Sequence, residues 1–421
     1  MIDTAPLVIA ATAGGITAVP DMMAERPDRR LWASYSQLTT HRSCPQRWFY
    51  GSMLKLRRLD DPDDPKVELN FGLWWHALMA ADSMRRGREH DSLRHTPDEI
   101  TAGNDVMLMA KGLHTEWVIE SSEKAWADLP AEAKEIWLSK LGEPLPDRLR
   151  QVYRTWTDRW AVEREYELPL AVELGWGREI TDTARLVGYV DEVYFDTRRN
   201  IVVVRDHKTG KQLPSQSALD DMMDSQLQLY AWGAAPVIGE WGMGPISATA
   251  YDRVKSVKPT TPRLNKSGTL SKTVTQFDIH AYLDWVAEGQ HYEGLAKDGS
   301  GAGTYQADPS LIDHLESPAW RSIWHQRTLI PLNANMIRAH LRSAVDTISD
   351  IHLTRRRAEQ EGAAARNLTG GCKWCDFAAL CRAQIVGGPD GEYPLDQYKL
   401  AHATWNVLTG ERARGALDKE N

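Results

Sequence analysis

The chain has 421 residues, of which 42% are apolar and 26% are charged, so we expect a globular protein with a sizeable core. Its net charge of −8 argues against a generally basic DNA coat protein, although local basic patches can still bind nucleic acid. It contains no apolar run of about 18 residues that could cross a membrane. Its first residues lack the basic start of a signal peptide, so we expect a cytosolic protein.

Helices are predicted for the first part of the chain. Residues 1–30 are rich in Ala, Gly, Pro and Asp and predict a flexible N-terminal arm. A serine cap opens a predicted helix over 34–58. An apolar helix over 68–81 follows an acidic loop interrupted by prolines, and further helices are predicted within 105–165. Helices are therefore expected to precede the first strands.

Strands and helices are both predicted in the remainder of the chain. Apolar, β-branched stretches predict strands at 166–176, 185–195, 201–206 and 246–252. Helical periodicity predicts helices at 217–234, 276–294 and 333–360. The polar residues 253–309, rich in Gly, Ser and Lys, predict an insertion. The fold class that follows is α/β.

The apolar strand at 201–204 runs directly into charged residues, in the sequence IVVVRDHKTGK. Asp206 and Lys208 must share a face, because side chains on a strand repeat every two residues. Lys208 would then stand beside whatever Asp206 binds, able to orient a water or stabilise a developing negative charge. A solvated ion pair at the edge of a hairpin is the alternative.

The preceding strand supplies a second carboxylate. Asp191 is the one charge on an otherwise apolar face, and a turn-forming stretch joins this strand to the next. If Asp196 pairs with Ile201, Asp191 falls directly opposite Asp206, with Cβ atoms roughly 4.5–5.5 Å apart. Two carboxylates so close repel each other unless a cation lies between them. A divalent ion that prefers oxygen ligands, such as Mg²⁺, meets that requirement.

Two helical features are ambiguous when taken alone. Gln226 and Tyr230 are one helical turn apart on the same face, but such pairs are common on amphipathic helices. His76 lies on a helix that is apolar on nearly all sides. It is either a buried histidine with a backbone partner or a metal ligand.

Four short motifs, taken in order, resemble the RecB-like branch of the PD-(D/E)XK nuclease superfamily. The motifs are FGLWWH, GYVD, DHKTG and QLQLY. The residues that fill the places of that branch's motifs are Gly72, His76, Gly188, Asp191, Asp206, Lys208, Thr209, Gly210, Gln226 and Tyr230. Val190 stands where other branches have proline, which is usual for this branch.

The resemblance implies a restriction-endonuclease-like core, with a mixed central sheet flanked by helices and a helical insertion. It implies a metal-dependent DNA exonuclease of recombination, repair or phage DNA processing. The implied ligands of Mg²⁺ or Mn²⁺ are His76, Asp191, Asp206 and the main-chain carbonyl of His207. The implied catalytic residues are Asp191, Asp206, Lys208, Gln226 and Tyr230. A non-catalytic module that binds DNA ends with the same fold is the alternative.

The four cysteines predict a metal centre. Cys44 is solitary, and more than 300 residues later a triad follows in CKWCDFAALC, namely Cys372, Cys375 and Cys381. Disulfides are disfavoured in a cytosolic protein, and both zinc and a 4Fe–4S cluster accept four thiolates. The spacing is similar to the iron–sulfur nucleases of the same branch, such as AddB-type helicase-nucleases and CRISPR-associated RecB-like exonucleases. That resemblance implies a structural 4Fe–4S staple, with zinc or free thiols as alternatives.

The resemblance also implies a domain organisation. A nuclease domain over 31–385 would follow the arm 1–30 and precede a tail over 386–421. Within the domain we expect a helical part at about 68–165, a catalytic core at about 163–252, the insertion at about 253–309 and a cluster segment at 368–385.

Two stretches that contain basic but no acidic residues are candidate DNA contacts. Residues 31–59 contain Arg42, Arg47, Lys55, Arg57 and Arg58. Residues 253–273 contain Arg253, Lys255, Lys258, Arg263, Lys266 and Lys272. Phosphate contacts from such patches would make binding salt-sensitive, although solvated loops would look the same. The chain has no G-x-x-x-x-G-K-[ST] motif, so a nuclease without its own motor, or one with a separate helicase or recombinase partner, is expected.

Overall fold

The computed structural model describes residues 10–12, 15–17, 31–58, 66–103, 106–214, 221, 223–271, 277–294, 301–386 and 398–400. A mixed sheet of six strands lies at the centre of this part of the chain, with helices packed on both faces. The predicted α/β class, with a mixed central sheet flanked by helices, is confirmed.

The strands, in chain order, are β1 (Ala10–Thr12), β2 (Gly15–Thr17), β3 (Leu31–Ser34), β4 (Leu56–Arg58), β5 (Glu99–Gly103), β6 (Val106–Met109), β7 (Glu167–Thr181), β8 (Ala184–Asp196), β9 (Ile201–Gly210), β10 (Ile246–Lys255), β11 (His291–Tyr292), β12 (Gly303–Thr304), β13 (His325–Pro331) and β14 (Tyr398–Leu400). The central sheet has the order β13-β10-β9-β8-β3, and β7 pairs with β8. The β9–β10 and β3–β8 pairs are parallel, whereas β7–β8, β8–β9 and β10–β13 are antiparallel.

The helices, in chain order, are α1 (Tyr35–Ser43), α2 (Pro45–Trp48), α3 (Val67–Glu89), α4 (Thr115–Ala127), α5 (Ala131–Leu141), α6 (Leu145–Arg159), α7 (Ala161–Arg164), α8 (Ser225–Gly239), α9 (Ile279–Ala287), α10 (Pro309–Glu316), α11 (Pro318–Arg321), α12 (Ala334–Glu361) and α13 (Ala378–Val386). A π-helix, Phe49–Met53, follows α2, and a 3₁₀-helix, Gly370–Trp374, precedes α13. Within the described ranges, no helix is both long and apolar enough to cross a membrane.

The predicted helix over 34–58 is wrong in its extent. Ser34 does cap its start, with Oγ accepting a hydrogen bond from the Gln37 N–H at 3.3 Å. The helix then ends at Cys44, which is extended at φ −163° and ψ 109°. Proline disfavours the helical conformation in the residue before it, so Pro45 explains the break. A short helix, a π-helix and strand β4 occupy the remainder.

The other predicted elements occur, with shifted ends. Strands β7 and β9 extend past their predicted C-terminal ends, so the whole DHKTG motif is part of β9. The helix predicted at 217–234 appears as α8, while residues 215–220 and 222 lie outside the described residues. The helices predicted at 276–294 and 333–360 appear as α9 and α12.

Two large apolar clusters hold the helices to the sheet. One joins α1, α8 and α12 to β8 and β9, through residues such as Leu38, Leu227 and Ile348. The other joins α3 to α6, through Trp75 and Trp156. A third, smaller cluster joins Tyr282 and Trp285 of the predicted insertion to Leu315 beyond it. The functional motifs lie where the first two clusters meet the edge of the sheet.

Candidate active site

A fork in the central sheet forms the candidate site. Strand β7 occupies one edge of β8 along nearly its whole length. On the other edge, β9 pairs with residues 192–196 of β8, and β3 pairs with residues 184–187. Residues 188–191 therefore lie between these two partners, and Asp191 stands where β9 separates from β8.

The predicted register of the hairpin is confirmed, and the fork refines it. Asp196 pairs with Ile201, and the ladder continues to the pair Glu192–Arg205. The next pair would be Asp191 with Asp206, but the strands part there. Instead, Asp191 Oδ2 accepts a hydrogen bond from the main-chain N–H of His207 at 2.7 Å. The fork turns the space between the two carboxylates into an opening.

Three side chains converge on this opening closely enough to hold a metal ion. Donor atoms of His76, Glu173 and Asp191 lie within 4.8 Å of one another. The Nδ1 atom of His76 is 3.3 Å from Asp191 Oδ2, and the imidazole is 29% exposed, so His76 is not a fully buried core histidine. Helix α3 brings it there because Gly72 lets the helix approach β9: a Cβ at Gly72 would lie 3.2 Å from Thr209 Oγ1.

Glu173 is the member of this set that the sequence motifs did not reveal. It lies on β7 between Val172, which pairs with Glu192, and Leu174, which pairs with Val190, and so faces Asp191 across the sheet. Its φ is +47°, a left-handed conformation that is costly for a residue other than glycine and is common at functional sites. The only signal in the sequence was an acidic residue within the apolar run PLAVELGW.

Asp206 lies beside this set and has partners of its own. Its Oδ2 is 2.7 Å from Lys208 Nζ, and its Oδ1 accepts a hydrogen bond from Gln226 Nε2 at 3.1 Å. The Lys208 side chain is 41% exposed, so its ammonium is on the open side of the site. The structure thus brings together Asp206, Lys208 and Gln226 as the motifs predicted.

Tyr230 is held by an indole that the sequence analysis did not single out. The ring centroids of Trp176 and Tyr230 are 5.7 Å apart in an edge-to-face arrangement. Trp176 fits because two positions lack a Cβ: one at Gly188 would approach the indole to 2.9 Å, and one at Gly233 to 2.2 Å. The glycine of the GYVD motif therefore makes room for the residue that positions Tyr230.

The electrostatics of the site are unbalanced. Burial and the charge of Asp191 raise the pKa of Glu173 to about 8 and the pKa of Asp206 to about 6. Burial also opposes ionisation of Asp191, but His76 and its other cationic neighbours hold the pKa of Asp191 below its usual range. Burial opposes protonation of His76, yet Asp191 and the neighbouring carboxylates raise its pKa to about 9. Close carboxylates that share too little positive charge favour a bound cation.

His207 contributes its backbone and its ring to different faces of the sheet. Its N–H donates to Asp191, while its imidazole lies on the opposite face, 3.9 Å from Glu192. The ring centroids of His76 and Trp156 are 6.3 and 6.5 Å away, and burial lowers the pKa of His207. The ring therefore packs beneath the site.

A buried ionic layer extends from there under the sheet. The Arg205 guanidinium lies 2.8 Å from Glu192 and 2.7 Å from Glu167. Arg327 lies 2.8 Å from Glu167 and 2.5 Å from Asp252. Because neighbouring residues on a strand point to opposite faces, this layer and the carboxylates of Asp191 and Asp206 are on opposite sides of β8 and β9.

Asp224 and Tyr35 are further residues that the sequence analysis missed. Asp224 Oδ1 caps helix α8, accepting the Gln226 N–H at 2.8 Å and the Tyr35 hydroxyl at 3.1 Å. Asp224 thereby fixes the first turn of the helix whose Gln226 side chain contacts Asp206. The Asp-x-Gln spacing before an apolar helix was a readable cap signal.

The four cysteines lie in one region as free thiols. Burial raises the pKa of Cys375, and the Cys44 thiol is close enough to raise it further. Asn367 links Cys372 to the residue before Cys44, because its main-chain carbonyl accepts the Cys372 thiol at 3.7 Å and its side-chain amide donates to the Ser43 carbonyl at 2.8 Å. Although all four cysteines are described, no three of their sulfurs lie within 4.8 Å of one another.

The two predicted basic patches differ in their availability. In 253–273, Arg253 is buried against Asp221 at 2.7 Å, and Lys255 is buried with its ammonium 4.5 Å from the Trp324 ring centroid. These two residues of β10 were wrongly counted as DNA contacts, since they serve the core. Lys258 pairs with Glu143 at 3.2 Å, and Lys272 lies outside the described residues. In 31–59, Arg47 is exposed.

Comparison with known proteins identifies the family. The family model of the PD-(D/E)XK nuclease superfamily matches residues 33–382. The chain therefore belongs to the PD-(D/E)XK nuclease superfamily, which supports a nuclease function. No curated protein matches its sequence.

Among solved structures, two similar chains have low scores. The crystal structure of SSO0001 is 12% identical with a TM-score of 0.25, covering 63% of this chain and 79% of that one. A phage-related exonuclease from Haemophilus somnus 129PT is 13% identical with a TM-score of 0.21, covering 56% of this chain and 89% of that one. TM-scores this low support no argument about function.

Proposed function

We propose that this chain is a metal-dependent deoxyribonuclease of the RecB-like branch, which hydrolyses phosphodiester bonds of DNA as an exonuclease. The observation that carries the proposal is the convergence of His76, Glu173 and Asp191 within 4.8 Å. Asp206 and Lys208 stand beside them in a member of the PD-(D/E)XK nuclease superfamily.

The donor set suits a hard divalent cation. Three carboxylates and one imidazole, from Glu173, Asp191, Asp206 and His76, would hold Mg²⁺ or Mn²⁺, with the main-chain carbonyl of His207 as a further candidate. When bound, the ion would supply Lewis-acid chemistry to the phosphate and lower the pKa of a water. The raised pKa values of Glu173 and Asp206 fit a site whose carboxylates need that charge.

The remaining residues would act on water and phosphate. Lys208 places its ammonium on the open side of Asp206, where it would orient the attacking water and stabilise negative charge on the phosphate oxygens. Gln226 fixes the Asp206 carboxylate, and Tyr230 lies on the same helix, where it would help to position DNA. In the reaction, a water oxygen bonds to phosphorus, the bond to the leaving ribose oxygen breaks, and that oxygen takes up a proton.

A hydrolysis assay tests the proposal. The protein would be incubated with linear, end-labelled DNA and with circular DNA, each in single- and double-stranded form. Each incubation would contain Mg²⁺, Mn²⁺ or EDTA. We expect release of short labelled products from linear DNA only, and only with a divalent ion. The folded Asp206→Asn variant is the control for contaminating nucleases.

The alternative function predicts a different result. A non-catalytic module would bind DNA ends without hydrolysing any substrate in either metal. Cleavage of circular DNA would keep the nuclease assignment but reject the exonucleolytic mode. Stimulation by an added helicase would support the proposed partner.

We further propose that Cys44, Cys372, Cys375 and Cys381 hold a structural 4Fe–4S cluster, with zinc as the alternative. Two distant chain segments, around Cys44 and over 367–381, bring these half-buried thiols into one region, which supports a shared centre. A centre here would tie α1 to the C-terminal segment.

Metal analysis tests the cysteine proposal. Anaerobically purified protein should be brown, with about four irons and four sulfides per chain. Closing a loop of over 300 residues restricts the unfolded chain by on the order of 4–5 kcal/mol, by analogy with a disulfide. Any single Cys→Ala should therefore lower solubility and the melting temperature. Colourless protein with one zinc per chain would reverse the assignment to zinc.

A further inference from the structure

The segment that carries the three late cysteines also displays an unusually exposed aromatic residue. Trp374 is 80% exposed, more than any other large apolar side chain in the described part of the protein. Burying a side chain of this size typically stabilises a protein by about 1.5–3 kcal/mol, so its position on the surface forgoes a substantial gain. Tryptophan combines a large apolar ring with a polar N–H and is enriched at binding interfaces, so a ring that the core does not use is available to a ligand.

The Trp374 side chain extends from a hydrogen-bonded segment of main chain. Trp374 ends the 3₁₀-helix Gly370–Trp374, in which the Cys372 N–H donates to the Thr369 carbonyl at 3.0 Å and the Cys375 N–H donates to the Cys372 carbonyl at 3.2 Å. Two residues beyond Cys375, Phe377 is buried, with its ring centroid 5.4 Å from that of Tyr50. A platform that is already rigid loses little entropy when a ligand stacks on it.

The surroundings of the ring are cationic. The Lys373 ammonium lies 5.5 Å from the centroid of the Trp374 ring. Arg47 is exposed, and its guanidinium is close enough to Cys375 to act on that thiol electrostatically. Between Leu368 and Val386, Asp376 is the only acidic residue, on a chain whose net charge is −8.

We propose that Trp374 is a stacking platform for a base of single-stranded DNA, with Lys373 and Arg47 neutralising the flanking phosphates. The inference rests on the proposed function in taking DNA as the ligand. Bases stack on exposed aromatic rings within basic grooves, and this requires a base face that a duplex keeps inside its own stack. A protein partner fits less well, because docking on the ring would strip water from the Lys373 ammonium, and lysine is depleted in interface cores.

Oligonucleotide binding tests the platform directly. The affinity of fluorescein-labelled oligothymidine would be measured by anisotropy in EDTA, so that no metal-dependent hydrolysis occurs. Loss of one stacked base is worth about 1–3 kcal/mol, so Trp374→Ala should weaken binding about 5- to 150-fold. Trp374→Phe should retain most of the affinity. Leu368→Ala is the matched control, because Leu368 is 69% exposed in the same segment, and its affinity should not change.

The salt dependence tests the two cations. Each lost phosphate contact should reduce the slope of log K against log salt by about 0.7 for a single strand. Lys373→Ala and Arg47→Ala should each show this reduction, whereas Trp374→Ala should leave the slope unchanged. Equal affinity in wild type and Trp374→Ala would overturn the proposal, as would an equal loss in Leu368→Ala. An equal loss on blunt duplex DNA would overturn the single-strand assignment.

The outcome is separable from that of the proposed nuclease function. Hydrolysis of a one-nucleotide substrate, thymidine 5′-(p-nitrophenyl) phosphate, should be equal in wild type and Trp374→Ala. If wild type hydrolyses nothing while Trp374→Ala still weakens oligothymidine binding, the nuclease proposal fails and the platform stands. If wild type cleaves DNA but Trp374→Ala binds it normally, the nuclease proposal stands and the platform proposal fails. If wild type binds no oligothymidine, the platform proposal is rejected. A contact with a protein would then be the remaining role for Trp374.

Discussion

Arg205 and Asp206 are neighbours in the chain, yet they belong to opposite faces of one sheet with opposite electrostatic character. Beneath the sheet, the Arg205 and Arg327 guanidinium groups lie within 2.8 Å of Glu167, and Arg327 also contacts Asp252. Burial opposes the ionisation of Glu167, but the two arginines lower its pKa to about 2. Glu167 therefore remains ionised beside two permanent cations.

On the other face the acids are not matched in this way. The close cationic partners of Glu173, Asp191 and Asp206 are His76 and Lys208 rather than arginines, and burial with mutual repulsion raises the pKa of Glu173 to about 8. Glu173 also adopts a left-handed backbone. Another arginine would pair with these acids if the site served stability alone. One face is therefore compensated by the chain's own arginines, whereas on the other face the proposed metal ion would supply the compensation.

The first prediction concerns the buried ionic layer, where a substitution removes one of the arginines. Arg205→Leu leaves Glu192 buried without its cation and Glu167 with Arg327 alone, so the free energy of unfolding should fall by about 3–5 kcal/mol, measured by urea denaturation. Arg150→Leu is the control, because Arg150 is 47% exposed and pairs only with exposed acids. That change should cost at most about 1 kcal/mol. Similar losses of unfolding free energy in Arg205→Leu and Arg150→Leu would contradict the contrast between the faces.

The second prediction concerns the face of the candidate active site, where a substitution removes one carboxylate. Asp206→Asn should lower kcat/KM for DNA by about 10²–10³-fold, because it removes charge that holds the cation and Lys208. The melting temperature should not fall, since Asn ends the repulsion with Asp191 that raises the pKa of Asp206. Near-wild-type activity in the folded variant would sink the catalytic assignment.

The third prediction separates the two properties of Glu173. Glu173→Gln and Glu173→Gly should both weaken metal binding at least about tenfold, because each removes a candidate ligand. Glycine tolerates φ +47°, so the glycine variant should be more stable than the glutamine variant by about 1 kcal/mol. Calorimetric metal titration and thermal unfolding measure the two effects. Unchanged metal affinity in both variants would remove Glu173 from the site.

The fourth prediction concerns the pH dependence of metal binding. With pKa values raised to about 9 and about 8, His76 and Glu173 hold protons at neutral pH, which a metal must displace. Affinity should therefore increase as pH rises, by up to about tenfold per unit for each displaced proton, and level off above about pH 9. Titrations in buffers of different ionisation enthalpy should detect one to two protons released. Affinity independent of pH would contradict the unbalanced site.

Much of this site could be predicted from the sequence because period-two alternation and hairpin register are local. Asp196 pairs with Ile201 as expected, and the order of short motifs placed His76 and Gln226 beside the two carboxylates. The fork could not be predicted in the same way. It depends on β3, which is distant in the chain, taking over the edge of β8 that β9 leaves.

The failures have similar physical causes. Glu173 belongs to no local motif and becomes a candidate ligand only because β7 pairs with β8. The basic stretch at 253–273 was judged from composition, but Arg253 and Lys255 belong to a central strand and face Asp221 and Trp324. The helix break at Cys44, by contrast, could have been predicted from Pro45.

The smallest predicted effect concerns Tyr35, whose hydroxyl is hydrogen-bonded to Asp224 beside the site. Its hydroxyl donates to the carboxylate that caps α8, two residues before Gln226. Tyr35→Phe removes one hydrogen bond of about 0.5–1.5 kcal/mol, so kcat should fall about two- to tenfold. KM and the melting temperature should change little, because the ring remains in place. Ser36→Ala, on the same turn of α1, is the control. A rise in KM at constant kcat would show that Tyr35 binds substrate instead of positioning the helix that holds Asp206.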